Sequence, residues 1–277
     1  RERLASQPKI GTVPDWAHCL TVGVDHHKYR GNHFVVLAWG EKGRCHIVDC
    51  GTYRAEGVDE NTAIEGAIET LMTRRWPGES GGMMPLRMLC LDSGYNTDTI
   101  YRIVNRYGVG RARAVKGAAG AGSRMPWMAT VAEASRATGR KPSRGGQHLF
   151  LLDTDYWKGV VNGMLMRGRE SDDALTWPAD APEEFMRGVC NVAVIPKKTG
   201  GGKMQMVYRA IDEETGDHYH DAMCYAVAGA EMIGARNISI EERPSPRTHD
   251  ESISHARING ASRQRGRQMN ERQIDWR

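Results

Sequence analysis

The first third of the chain alternates at the period of strands. His18 to Asp25, Asn32 to Gly40 and Arg44 to Cys50 are three apolar runs in close succession, separated by the polar joints HHKYRG and EKG. Runs of that length on tight joints predict an antiparallel meander. The period then lengthens. Between Asp59 and Arg75, the residues Ala63, Ile64, Ala67, Ile68, Leu71 and Met72 recur at helical spacing, with Asp59 as expected N-cap and WPGESGG as terminator. PLRMLCLDSG is a continuous apolar run that closes on Asp92, as a central strand buried on both faces would. TDTIYRIVNRYG follows as a helix, with Thr97 as its expected cap and Gly108 as its stop, and RARAVKG reads as another short strand.

Lys116 to Gly146 is rich in Gly, Ser and basic residues and reads as exposed loop. QHLFLLDTDYWKGVVNGML repeats strand, acid and helix, with Asp155 at the joint as the expected cap. Asn191 to Pro196 and Lys203 to Ala210 predict a hairpin around KKTGGG, and His218 to Ala235 a closing helix with Met223, Ala226, Val227, Ala230 and Ile233 on one face. Three meandering strands followed by alternating strands and helices predict an α/β fold, a mixed sheet with helices packed on it. Residues 1–17 are a proline-punctuated lead-in, 18–236 the folded domain, and 237–277 a polar, basic and flexible tail in which the apolar period fades.

Composition narrows the picture only a little. With 277 residues, 40% of them hydrophobic, the chain can bury a large core, and a net charge of +4 is compatible with contact to nucleic acid but far from that of a DNA-coating protein. The six cysteines show no C-x-x-C and sit mostly in apolar runs, so they read as small buried hydrophobes rather than a disulfide frame or a zinc site. No apolar stretch is long enough to span a bilayer.

The acids at the joints carry the chemistry. Asp25, Asp92 and Asp155 each end a strand-like run, and Asp221 opens the apolar part of the last helix. One such aspartate is ordinarily a cap or a turn residue. Several are different, because Asp25 and Asp92 share an edge if their strands are neighbours, and the closing helix can bring Asp221 across to them. Two carboxylates about 6 Å apart repel by about 3 kcal/mol at an effective dielectric near 20. Three together take up protons or hold hard divalent cations such as Mg²⁺ or Mn²⁺. A pair of such ions can activate water and stabilise the leaving oxygen of a phosphodiester.

VGVDHHKYRGNHFVVLAWG, LDSGYNTDTIYRIV, RAVKG, LLDTDYWKGVVNGML and HYHDAMCYAVAGA follow in an order and spacing that resembles the nuclease portion of lambda-like phage terminase large subunits. The resemblance implies a ribonuclease H-like mixed β-sheet flanked by helices. It also implies a metal-dependent endonuclease that cuts concatemeric double-stranded viral DNA during genome packaging in the cytoplasm of an infected bacterial host. Its partners would be double-stranded DNA, the terminase small subunit and the portal of the procapsid, with no membrane. Carried over by position, the catalytic and metal-holding acids are Asp25, Asp92 and Asp221, with Mg²⁺ or Mn²⁺ expected as a pair of ions. Asp155, Lys158 and Lys116 also match. The histidine-rich flanks depart from the family, and His26, His218, Asp217 and Asp155 are expected as residues near the metal. The family's motor carries a G-x-x-x-x-G-K-[S/T] loop, and KGAAGAGSR lacks its Gly-Lys-Ser/Thr ending, so no ATP site is expected here and the chain is read as a nuclease portion apart from its motor.

DHH is also a motif of manganese-dependent phosphoesterases, but there an Asp-x-Asp segment precedes it, whereas here DTD follows. The alternatives are a ribonuclease H-like resolvase or transposase, which would share fold, metals and reaction, and a non-catalytic DNA-binding module. Lys116, Arg113, Lys158, Lys197 and Lys198 are candidates for the DNA backbone, where contacts are independent of sequence and sensitive to salt. Trp127, Trp157 and Trp177 read as packing residues.

Overall fold

The computed structural model describes residues 7–27, 31–54, 57–118, 125–131, 148–167, 171, 173–198, 201–202 and 204–238. The expected tail, from 239 on, and most of the loop expected over 116–146 lie outside them.

The meander is present. Strands β1 (Cys19–His27), β2 (Gly31–Trp39) and β3 (Cys45–Tyr53) pair antiparallel in sequence order. Helix α1 (Glu60–Thr73) begins where Asp59 accepts the Thr62 N–H. The short β4 (Arg75–Pro77) then pairs with the start of β5 (Met83–Asp92), and β5 runs parallel to β1. Helix α2 (Thr97–Tyr107) leads to β6 (Ala112–Ala118), parallel to β5. Beyond it lie β7 (Trp127–Val131) and β8 (His148–Asp153), with β8 parallel to β6 and β7 antiparallel on the outer edge. Helix α3 (Thr154–Met166), the two-residue β9 (Leu175–Thr176) and α4 (Glu183–Cys190) come next. The hairpin β10 (Val192–Lys198) and β11 (Met204–Ala210) forms its own two-stranded sheet, and α5 (His218–Met232) closes the fold.

Among the described residues the large sheet has nine strands. Eight follow the order β7-β8-β6-β5-β1-β2-β3-β9, and β4 attaches to β5. Its centre, β3-β2-β1-β5-β6, is a meander joined to parallel strands, and with helices on both faces this is a ribonuclease H-like fold. Alternation decides which side chain meets which layer. Leu20, Val22 and Val24 of β1 pack with Leu89 and Leu91 of β5 against α1 and α2. Met88 and Cys90 face the other way, into the layer of α3, α4 and α5.

Helix α5 lies almost on the backbone of β1, and the sequence explains how. A Cβ at Gly23 would fall 1.9 Å from the Ala222 carbonyl oxygen and 2.5 Å from the Ala226 nitrogen, so only glycine admits the helix. One residue pair away, Thr21 Oγ1 donates to the Ala226 carbonyl at 2.9 Å and accepts from Trp39 Nε1 at 2.8 Å, a buried polar clamp on the same contact. Gly23→Ala is therefore expected to destabilise by about 3 kcal/mol or more, since the clash is with backbone rather than a movable side chain. For a domain of this size that is a fall of roughly 6–12 °C in Tm, read by circular dichroism. An unchanged Tm would mean that the helix does not rest on the strand.

Three local expectations are corrected. Helix α2 is preceded by Asn96 in the left-handed region (φ 53°), not capped by Thr97, whose hydroxyl instead donates to the Ser93 carbonyl. Helix α3 is capped by Asp153, which accepts the Tyr156 N–H, while Asp155 accepts the Tyr208 N–H of β11. The expected loop over 116–146 contains the end of β6 and all of β7, because Trp127–Val131 add to β8 as an edge strand. The tryptophans do pack: Trp157 is buried with Nε1 donating to the Pro126 carbonyl, Trp127 tilts against Phe150, and Trp177 against Phe185.

Candidate nuclease site at the carboxyl edge of the sheet

Parallel pairing of β1 with β5 runs from Thr21 opposite Met88 to Val24 opposite Leu91, so both strands reach their next residue, Asp25 and Asp92, at the same edge. The period of two then puts Asp25 on the face of Thr21 and Gly23, and Asp92 on the face of Met88 and Cys90. That is the face covered by α5, whose first turn carries Asp221. The end of β5 is fixed to β6 by Ser93, whose N–H and hydroxyl both donate to the Val115 carbonyl. Asp92 Oδ1 accepts the Gly94 N–H at 3.2 Å.

These carboxylates feel one another. Burial, then the negative charge of Asp25, pushes the Asp92 carboxyl up to about 7, against the pull of the Gly94 N–H and the Lys116 charge. Asp25 is likewise raised, by burial and then by Asp217, with Lys158 opposing. Asp221 is raised by burial, opposed by Lys158 and reinforced by Asp25 and Asp217. The share of each rise that comes from neighbouring negative charge is the share a bound cation would relieve.

Two basic side chains are built into the acid set. His218 Nδ1 donates to Asp25 Oδ2 at 2.7 Å. Its ring stacks on His33, the residue opposite Asp25 in register, and tilts against His27, each with centroids 4.8 Å apart. Lys158 reaches from α3 and is only 5% exposed, with Nζ 2.6 Å from Asp217 Oδ2 and 2.9 Å from Asp221 Oδ1. The second contact is a close ion pair without hydrogen-bond alignment, since Asp221 Oδ1 is buried and has no hydrogen-bond partner.

The other expected residues are distributed more widely. His26 points to the opposite face from Asp25: its Nδ1 donates to Asn32 Oδ1 and its ring stacks on Tyr95 at 5.3 Å. Tyr95 in turn donates to Glu60 Oε2, so His26 braces the loop that follows Asp92 rather than meeting the acids. Asp155 belongs to the contact between α3 and β11. Lys158 is committed to two carboxylates and cannot reach a DNA backbone. Arg113 is half-buried, with its guanidinium over the Phe150 ring at 4.8 Å, which removes it from that role too. Lys116, Lys197 and Lys198 are exposed.

The family model for the terminase large subunit gpA endonuclease domain matches residues 1–242. The chain belongs to this family. Comparison with curated proteins gives no match.

As donors for an ion, the residues of this terminase domain fit a hard divalent cation in chemistry and in charge: they are carboxylate oxygens, buried and short of positive charge. They do not already close on a common point, for among the described residues no three His, Cys, Asp or Glu side chains stand in a metal-holding group. The role of Lys158 escaped the sequence reading, although a signal was available. In TDYWKGVVNGMLM the lysine follows the buried Trp157 and stands one turn before the buried Val161, on a helix that is otherwise largely apolar. A lysine on such a face requires a carboxylate partner.

Proposed function

We propose that this terminase domain is a metal-dependent endonuclease that cuts concatemeric double-stranded DNA during phage genome packaging, in the cytoplasm of the infected bacterium. The observation that supports the proposal is the parallel pairing of β1 with β5, which brings Asp25 and Asp92 to the same edge, on the face that α5 with its Asp221 covers. Asp25, Asp92 and Asp221 are the acids that would hold Mg²⁺ or Mn²⁺. The ion supplies activation of water and charge stabilisation at the scissile phosphate.

The chain's own residues do the rest. The His218 N–H fixes one oxygen of Asp25 and so orients the other. Ser93 and Gly94 hold Asp92 at the strand end. Tyr95, held between His26 and Glu60, braces the loop that follows Asp92. Lys116, beside Asp92, meets the DNA backbone, and Lys197 and Lys198 extend the contact along the hairpin. The small subunit and the portal of the procapsid are the partners that this function requires.

The direct test is cleavage of linear double-stranded DNA by the purified chain. Cleavage should require added Mn²⁺ or Mg²⁺, stop on addition of a chelator, and show little dependence on sequence. Cleavage that persists in excess chelator would sink the metal-dependent reading.

A further inference from the structure

Charge balance at the acid set centres on Lys158. Four carboxylates form an electrostatic chain: Asp92 feels Asp25, Asp25 feels Asp217, and Asp221 feels both Asp25 and Asp217. Among the described residues only one lysine is buried with them, and it is not shared evenly. The Lys158 ammonium sits 2.6 Å from Asp217 and 2.9 Å from Asp221. Asp217 responds as a carboxylate with a permanent partner should: burial would raise its carboxyl, yet the charge and hydrogen bond of Lys158 hold it below the usual range. Lys158 itself is raised, although burial alone would lower it, because Asp221 and Asp217 face it. Among the described residues no lysine is buried between Asp25 and Asp92, where the neighbouring negative charge is the second cause of the rise at Asp92.

The site therefore has two unequal halves. One, around Asp217 and Asp221, contains its own cation, held by a helix that is packed into the core. The other, around Asp25 and Asp92, has no buried lysine of its own among the described residues: the His218 imidazole meets Asp25, and Lys158 and the exposed Lys116 act on Asp25 and Asp92 only through their charge. An ion arriving at Asp221 Oδ1 would have to displace an ammonium already 2.9 Å away, or accept a like charge at contact distance. We propose that Lys158 is a fixed cation of the site, standing where a second divalent ion would bind, and that the domain accordingly loads a single ion on the Asp25–Asp92 side. This rests on the metal-nuclease reading above and replaces the pair of ions that the family resemblance implies with one ion and one lysine.

The test is calorimetric titration of Mn²⁺ into the full chain, read as stoichiometry and not as activity. The wild-type chain should take up a single ion. Lys158→Met should gain a second, because Asp217 and Asp221 lose their resident cation. Loss of the lysine leaves two unpaired buried acids, which endangers the fold. The double variant Lys158→Met/Asp217→Asn therefore serves beside it: it removes one carboxylate with the ammonium, and should also bind a second ion through Asp221. Two ions in the wild-type chain, or a single ion in a folded double variant, would overturn the role of Lys158 and leave the nuclease reading standing. No Mn²⁺ uptake by the wild-type chain would instead bring down the metal reading itself, and this inference with it.

Discussion

Asp92→Asn is expected to lower cleavage of double-stranded DNA by about 10²–10³-fold, the usual loss when one preorganised charge is removed from a reacting centre. Affinity for uncleaved DNA should stay within a few-fold. The two effects separate because different parts of the molecule carry them. Asp92 lies at the carboxyl end of β5, largely covered, and feels the charge of Asp25; the exposed cations Lys116, Lys197 and Lys198 lie outside the acid set. Backbone contacts of that kind are set by the number of phosphates neutralised, and removing one negative charge beside Lys116 strengthens them if it changes them at all. Asparagine keeps the shape of the side chain and an oxygen to accept the Gly94 N–H, so a change in fold does not explain the loss. The measurement is a pair: cleavage with Mn²⁺, and filter or fluorescence binding with chelator. Cleavage at the wild-type rate would remove Asp92 from the site. Parallel loss of cleavage and binding would favour a DNA-binding module without chemistry.

How much of this was visible in the sequence depends on what fixes each element. The meander, β5 and α5 were legible because each buries a face, and burial writes a period of two or of three to four into the residues. The convergence of Asp25 and Asp92 was legible for the same reason: a run of buried apolar residues that stops on an acid marks an edge, and two such strands that pair in parallel share it. Elements stabilised by what lies beside them were not legible. Strand β7 is an edge strand with Met128 exposed, so it carries little alternation and exists because β8 offers unpaired backbone groups. The two-residue β9 forms on the free edge of β3. Helix α4 has eight residues and shows only Phe185, Gly188 and Val189 to the core, too few for a period to stand out.

The histidines illustrate the limit at the site. HH after Asp25 looks like a ligand motif, but successive residues of a strand point to opposite faces, so His26 turns to Tyr95 and Asn32 while Asp25 faces α5. The imidazole that does touch Asp25 comes from His218, 193 residues away. Pairing of that kind is decided by how α5 lies on β1, and Gly23 and Thr21 are its traces in the local sequence.

The same substitution at Asp92 should make the metal-free protein more stable, and the sign follows from the carboxyl's position. In the folded chain burial and Asp25 raise it to about 7, from an ordinary value of 3.8. A carboxyl raised on folding contributes stability that is fully present below the unfolded value and is lost as pH rises through the folded one. Without divalent ions, wild-type stability should therefore fall between about pH 4 and pH 7, by roughly 2–4 kcal/mol from this group after allowance for its partial exposure. An asparagine side chain carries no proton to lose, so Asp92→Asn should flatten that slope and exceed wild type at pH 8 by a similar amount, several degrees in Tm. Removing its charge also relieves Asp25, which adds in the same direction. Mn²⁺ should then reverse the order at pH 8, since a cation that binds only the folded wild-type site stabilises it by linkage, and the variant binds it more weakly. Thermal unfolding from pH 4 to pH 8, with chelator and with Mn²⁺, reads all of this. A variant that is no more stable than wild type at pH 8 in chelator would mean that the acids do not strain the fold, and the physical case for a cation at this edge would lose its foundation.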